Sequence, residues 1–113
     1  MQENEKMKAL IIIVNAGFSD EALDIARECG SGGATIINAR GTGRKFVESM
    51  FGIHYEPEKE FIVTLVTETV AEKILAEIPK SIGENSPVNG ICFCMPVDAM
   101  TLIKKANPAA ETK

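Results

Sequence analysis

Four apolar runs of strand length, separated by two stretches in which apolar residues recur every three or four positions, set out the architecture of the chain. The first run, Lys8 to Val14 (KALIIIV), is β-branched and closes on the turn-forming Asn15-Ala16-Gly17. A helix is predicted directly after it. Ser19 is placed to cap it, and Asp20 and Glu21 suit its positive end. Ala22, Ile25, Ala26 and Cys29 share one face before Gly30 stops it. Ser31 to Gly33 then feeds a second strand, Ala34 to Arg40. From Thr42 to Glu60 no period is visible, and Gly43, Gly52 and Pro57 mark a long loop with one helical turn near Val47 to Met50. Phe61 to Val66 is the third strand. Thr69 and Glu72 have capping-box spacing for a second helix that points Val70, Ile74, Leu75 and Ile78 inward and ends at Pro79. After a loop with Gly83 and Pro87 comes the fourth strand, Ile91 to Met95. Asp98 then caps a short C-terminal helix through Lys105, before Asn107-Pro108.

The order βαββαβ is the split arrangement of an α+β, ferredoxin-like fold: a four-stranded antiparallel sheet with two helices on one face. Residues 1–7 read as a flexible extension, 8–106 as a single domain and 107–113 as a tail. In such a sheet the face without helices should be polar. Here both alternating sets are apolar, Leu10, Ile12 and Val14 beside Ala9, Ile11 and Ile13, and Phe61, Val63 and Leu65 beside Ile62 and Val66. A patch of this kind needs covering, so the sheets of like subunits are expected to pack together in a closed oligomer.

Composition narrows the function classes. The chain has 113 residues, 45% hydrophobic and 25% charged, as expected for one folded domain. It contains no apolar run of membrane-spanning length, and its start, MQENEKMK, has no secretory character; the expectation is a cytoplasmic protein without direct membrane insertion. A formal net charge of -4 and the lack of a basic stripe argue against nucleic acid as a partner. Cys29, Cys92 and Cys94 form no CxxC pair and have one histidine, His54, to join them, so they read as buried small hydrophobes. The carboxylates are scattered over helix surfaces and loops, and no catalytic arrangement or required cofactor is predicted.

One segment does carry chemistry. In TIINARGTGRK, Thr35 to Lys45, a strand runs into a Gly-x-Gly-Arg turn. Gly41 and Gly43 permit the close backbone approach that an anion needs, and Arg44 offers a planar fork of donors.

With this element order, the spacing Gly33-x-Thr35, five intervening residues, Gly41-x-Gly43-Arg44 resembles the second strand of the nitrogen regulatory P-II proteins. The long loop after it, Pro57 to Glu60 before the third strand and Met95-Pro96-Val97-Asp98 after the fourth are also similar. The resemblance covers most of the chain. It implies a homotrimer that binds a nucleotide such as ATP or ADP between subunits and docks on a transporter or metabolic enzyme through the loop after strand two. It places Thr35 near the adenine, Gly41, Thr42, Gly43 and Arg44 at the border of nucleotide and loop, and Asn89 and Gly90 in a second phosphate-contacting loop. Lys104 falls among the residues after strand four that reach the phosphates.

The departures bear on the ligand. Ile91 stands where the family has a lysine, and Leu102 and Lys104 stand where it has two arginines. Hydrogen bonds to charged groups are worth about 1.5 to 3 kcal/mol each, so ADP, AMP or cyclic AMP is expected to suit the remaining charges better than ATP. The loop is shorter than in P-II, and its sequence, FVESMFGIHYEPEKE, is different, so the tyrosine uridylylation of some P-II proteins is not carried over to Tyr55. Lys45, Phe46, Met50, Phe51, His54 and Tyr55 mix apolar and polar groups as a partner-binding segment would. Two other readings stay open at this level. A CutA-like, divalent-metal-binding trimer would use His54, Glu56 and Glu58, and an ACT-like module would bind amino acids.

Overall fold

The computed structural model describes residues 5–41, 57–83 and 86–101. Its elements run β1 (Met7–Asn15), α1 (Ser19–Cys29), β2 (Thr35–Arg40), β3 (Glu58–Thr67), α2 (Glu68–Ser81) and β4 (Ile91–Pro96). The strands form one antiparallel sheet in the order β2-β3-β1-β4. This is the ferredoxin-like βαββαβ fold expected from the sequence, with both helices on one face. The short helix predicted from Asp98 to Lys105 is not present over Asp98 to Thr101, and its remainder lies outside the described residues, as does the helical turn near Val47 to Met50.

The core lies between the helices and the central strands. Leu10, Ile12 and Val14 of β1 and Ile62 of β3 are fully buried against Ala22, Leu23 and Ala26 of α1 and Ala71, Ile74 and Ile78 of α2. Burying each large aliphatic side chain is worth about 1.5 to 3 kcal/mol, so this layer dominates the stability of the single chain. Leu23 joins the buried face of α1, while Ile25 and Cys29, predicted inside, pack at its margin. On α2, Ala71 is buried, and Val70 and Leu75 take marginal positions.

Several boundaries move, each for a local reason. Strand β3 begins at Glu58 because Arg40, Ala39 and Asn38 pair with Glu58, Lys59 and Glu60, so the charged run placed in the loop is strand. The cap of α2 is Thr67, whose hydroxyl accepts from the N–H of Val70, and the predicted Thr69–Glu72 box is not used. Thr69 instead donates its N–H to the Glu5 carboxylate at 3.0 Å, and Glu68 donates its N–H to the Lys6 carbonyl at 2.9 Å. Hydrogen bonding to Thr69, through its side chain first and its N–H second, holds the Glu5 carboxyl below its ordinary value. Its stabilising effect is therefore present above the usual carboxylate range and is lost as the pH falls through the lowered value. Pro79 sits inside the last turn of α2 and the helix runs on to Ser81. Its missing N–H costs one intrahelical bond so near the end that the helix continues.

Ser19 does not cap α1 through its side chain; Phe18 holds the cap position. The function passes to Glu60 of β3. One carboxylate oxygen of Glu60 accepts from the N–H groups of Gly17 and Ser19, at 3.3 and 3.2 Å, and from the Ser19 hydroxyl. A carboxylate at the positive end of a helix is favoured by the macrodipole, and this one also fastens β3 to α1.

Gly90 enters β4 where any side chain would collide with the backbone of Ile82. Its N–H donates to the Ile82 carbonyl at 2.7 Å, and a Cβ there would lie 2.5 Å from the same oxygen. Gly90→Ala is expected to lower stability by about 1 to 3 kcal/mol, read as a fall in thermal midpoint with the fold otherwise retained by circular dichroism. An unchanged midpoint would show that the 86–90 turn can shift freely. Burial, with a smaller contribution from Cys94, pushes the Cys92 thiol up to about 12. Its thiolate is then on the order of one part in ten thousand at pH 8. Peptide mapping after iodoacetamide treatment should show Cys92 labelled at least roughly a hundredfold more slowly in the folded protein than in denaturant.

Candidate ligand site at the ends of strand two

Opposed residues of an antiparallel pair point to the same face, so the register sorts every side chain of the sheet. The face away from the helices has three apolar rows. Ile37, Phe61, Ile13 and Ile91 form one, Thr35, Val63, Ile11 and Phe93 the next, and Leu65, Ala9 and Met95 a third. Ile91 is 53% exposed, Ile37 49%, Met95 48% and Leu65 43% in the single chain. Strand β2 is exposed on both sides, with Ala39 alone half-buried.

The apolar rows stop at a polar one: Ala39, Lys59 and Asn15. Lys59 Nζ donates to Asn15 Oδ1 at 2.6 Å, and Asn15 Nδ2 donates to the Pro87 carbonyl at 2.8 Å. The Asn15 N–H also donates to the Val88 carbonyl at 2.9 Å. Two regions distant in sequence, the mouth of the 42–56 segment and the 86–90 turn, are thereby joined through the last residue of β1. Gly41 closes the mouth by donating its N–H to the Pro57 carbonyl at 3.1 Å, and a Cβ on it would meet the Lys59 stem at 3.4 Å. Beside this row a cleft of about 340 Å³ is lined by Ala16, Asn38, Arg40, Glu58, Lys59 and Glu60, among others. The turn itself is tight. The Asn89 N–H donates to the Ser86 carbonyl at 3.0 Å, and Asn89 adopts a left-handed φ of 54°.

Thr35 opens β2 at its other end, six residues from Gly41. At about 3.3 Å per residue this separates the two by roughly 20 Å. Thr35 faces the apolar rows beside Val63. On the helix side of that end, Thr64 donates its hydroxyl to the Gly33 carbonyl at 2.8 Å, and a cleft of about 720 Å³ runs between Gly30, Gly32, Val66, Thr67 and Val70.

The chain therefore brings Gly41, Asn89 and Gly90 to one end of the sheet and leaves Thr35 at the other. Thr42, Gly43, Arg44 and Lys104 lie outside the described residues, as do Lys45, Phe46, Met50, Phe51, His54 and Tyr55 of the loop. His54 and Glu56, offered as metal ligands, are also outside, and Glu58 stands opposite Arg40 on the helix face of β3. No group of three or more His, Cys, Asp or Glu side chains able to hold a metal occurs among the described residues. Asn15, Lys59 and Glu60 were not picked out by sequence reasoning, because their partners lie 41 to 72 residues away. The only local signal was the alternation of PEKEFIV, which puts Lys59 on the face of Phe61 and Glu60 on that of Ile62.

Comparison with solved structures gives the same fold repeatedly. A PII-like signaling protein from Thermus thermophilus superposes with a TM-score of 0.63 at 22% identity, over 82% of this chain and 88% of that one. CPII of Thiomonas intermedia K12, a nitrogen regulatory PII-like protein solved bound to ADP, AMP and bicarbonate, gives 0.63 at 20% identity, over 86% and 96%. The GlnK–ATP complex of B. subtilis gives 0.61 at 16%, over 81% and 82%. No curated protein matches the chain. The family profile described as Nitrogen regulatory protein P-II matches residues 7–107, from the first residue of β1 to beyond β4, and the chain belongs to the P-II family.

Proposed function

We propose that the chain is a P-II-type signal-transduction regulator, a cytoplasmic homotrimer that binds an adenine nucleotide or a similar small effector between subunits. It regulates a transporter or metabolic enzyme, in nitrogen or carbon metabolism, through the loop after β2. The family match over residues 7–107 carries this reading. The uncovered sheet supports it, since three apolar rows and an edge strand exposed on both sides are surfaces that soluble chains cover.

The separation of Thr35 from Gly41 makes the trimer part of the binding site. An adenine nucleotide is too short to touch both ends of one β2 strand while keeping its base and phosphates seated, so it takes Thr35 from one copy and Gly41 to Arg44 from another. Asn89, Gly90 and Lys104 complete the ligand side, and Lys45, Phe46, Met50, Phe51, His54 and Tyr55 form the docking segment. ADP and AMP in the CPII structure, and ATP in the GlnK structure, support the effector class. Ile91 and Leu102 offer no charge to a third phosphate, which favours the shorter nucleotides. For signalling, the ligand must bind the loop states unequally, since equal affinity shifts no population.

Light scattering of the purified protein at micromolar concentration should give three times the chain mass. Phe93→Glu, which puts a charge in the middle of the apolar rows, should give monomer. A wild-type monomer would remove the intersubunit site altogether. Calorimetric titration with ATP, ADP, AMP, cyclic AMP and a set of amino acids should then show micromolar binding of adenine nucleotides, with AMP or ADP ahead of ATP. Binding of amino acids alone would point to an ACT-like module.

A further inference from the structure

Cys92 and Cys94 stand two positions apart on β4, opposite Ile12 and Leu10 of β1, so both thiols lie on the helix side of the sheet. The subunit packing proposed above would close the other face and leave this side untouched. Sequence reading placed the two residues as buried small hydrophobes. In the structure they meet the core only at its margin, and each is half-buried on a strand that pairs with β1 alone. Both are free thiols, and neither sulfur enters a side-chain hydrogen bond among the described residues.

The strand sets how far apart the sulfurs can stand. At about 3.3 Å per residue, side chains two positions apart on one face start from Cβ atoms roughly 6.6 Å apart. A disulfide needs Cβ atoms about 3.5 to 4.5 Å apart, so the pair cannot be bridged directly without bending β4. An ion held between two thiolates needs more room. Two metal–sulfur bonds of about 2.3 Å in line put the sulfurs roughly 4.6 Å apart, which each Sγ reaches by leaning about 1 Å along the strand. Coordination number then selects the ion. Among the described residues no third His, Cys, Asp or Glu side chain joins the pair. Structural zinc takes four ligands, and calcium and magnesium take oxygen. Two thiolates alone suit a soft cation that accepts linear coordination.

We propose that Cys92 and Cys94 form a two-thiolate site for a soft, linearly coordinated cation, Cu(I) or Hg(II), on the helix side of β4. On uptake two S–H bonds break and two metal–sulfur bonds form; both protons leave to solvent and no electron moves. The raised Cys92 thiol opposes the loss of its proton, and the strong bond of a soft cation to sulfur offsets this.

The test uses the reduced full-length chain with C92A, C94A and C29A, since alanine keeps the packing apolar; each is checked for oligomer mass and circular dichroism. Cu(I) is offered from its bicinchoninate complex and Hg(II) as the chloride, and the metal retained per chain is counted by native mass spectrometry. Wild type and C29A should hold one ion per chain, and C92A and C94A should each bind at least about a hundredfold more weakly, because one thiolate is left. The ion should also raise the thermal midpoint of wild type and leave that of C92A unmoved. A fall in the wild-type midpoint would mean that the thiols are reached only on unfolding, and would overturn the proposal. Single variants that bind as well as wild type would overturn it too, as would a loss in C29A equal to that in C92A, or Zn(II) held as tightly as Cu(I). Uptake of Hg(II) with refusal of Cu(I) would uphold the site and assign it to a divalent ion, whose two-thiolate complex carries no net charge into a half-buried position. Uptake of both ions would uphold it for Cu(I) as well.

Discussion

The register between β1 and β3 is the constraint on which the rest of the molecule depends. It runs unbroken from Met7 opposite Thr67 to Asn15 opposite Lys59, along the centre of the sheet. Because side chains alternate with a period of two, this one alignment decides which residues meet the helices and which meet the outside. A slip by one residue would turn one of the two strands over, so that β3, for example, would put Val63 and Leu65 under the helices and Ile62 and Thr64 outward. It would also separate Lys59 from Asn15, so the same pairing builds the core and aims the Lys59 ammonium at the loop end.

Around that spine the chain divides its apolar residues between two uses. Leu10, Ile12, Val14 and Ile62 are consumed within the chain, under the helices, and provide most of its own stability. Ile37, Leu65, Ile91, Phe93 and Met95 are only partly used in the isolated chain, where each is at least two-fifths exposed. The rest of their burial becomes available only on association. In the proposed trimer this division would couple folding to assembly, and a ligand seated where subunits meet would influence both. The polar row of Lys59 and Asn15 marks where the apolar face ends and the cleft lined by Arg40 and Glu58 begins.

Glu60 shows how the fold binds its parts without a local motif. No capping residue stands at the right place in the turn before α1, and the first two acids of the helix, Asp20 and Glu21, remain exposed. A carboxylate from a strand more than forty residues away supplies the cap. The helix start is thus set by the same β3 segment that carries Lys59 on its opposite face, and the mouth of the 42–56 segment, Gly41 with Pro57, is held between α1 and the 86–90 turn. The bond from Gly41 to Pro57 fixes the two ends of that mouth against each other.

Alternating and helical periods in the sequence were enough to determine the βαββαβ order and the presence of a second apolar face, because burial patterns along one element are local; with both alternating sets of β1 apolar, only the structure showed that Leu10, Ile12 and Val14 face the helices. The segment from Gly33 to Arg44 was enough to point to the family. Sequence alone placed Glu58 to Glu60 in a loop and gave α2 the wrong cap, because strand extension and capping there depend on partners supplied by β2 and by Glu5. Only the tertiary structure put Thr35 and Gly41 at opposite ends of one strand, and only it brought Asn15, Lys59 and Pro87 together. Those contacts join residues 44 and 72 positions apart, and no periodicity encodes a distance that the chain must fold to close.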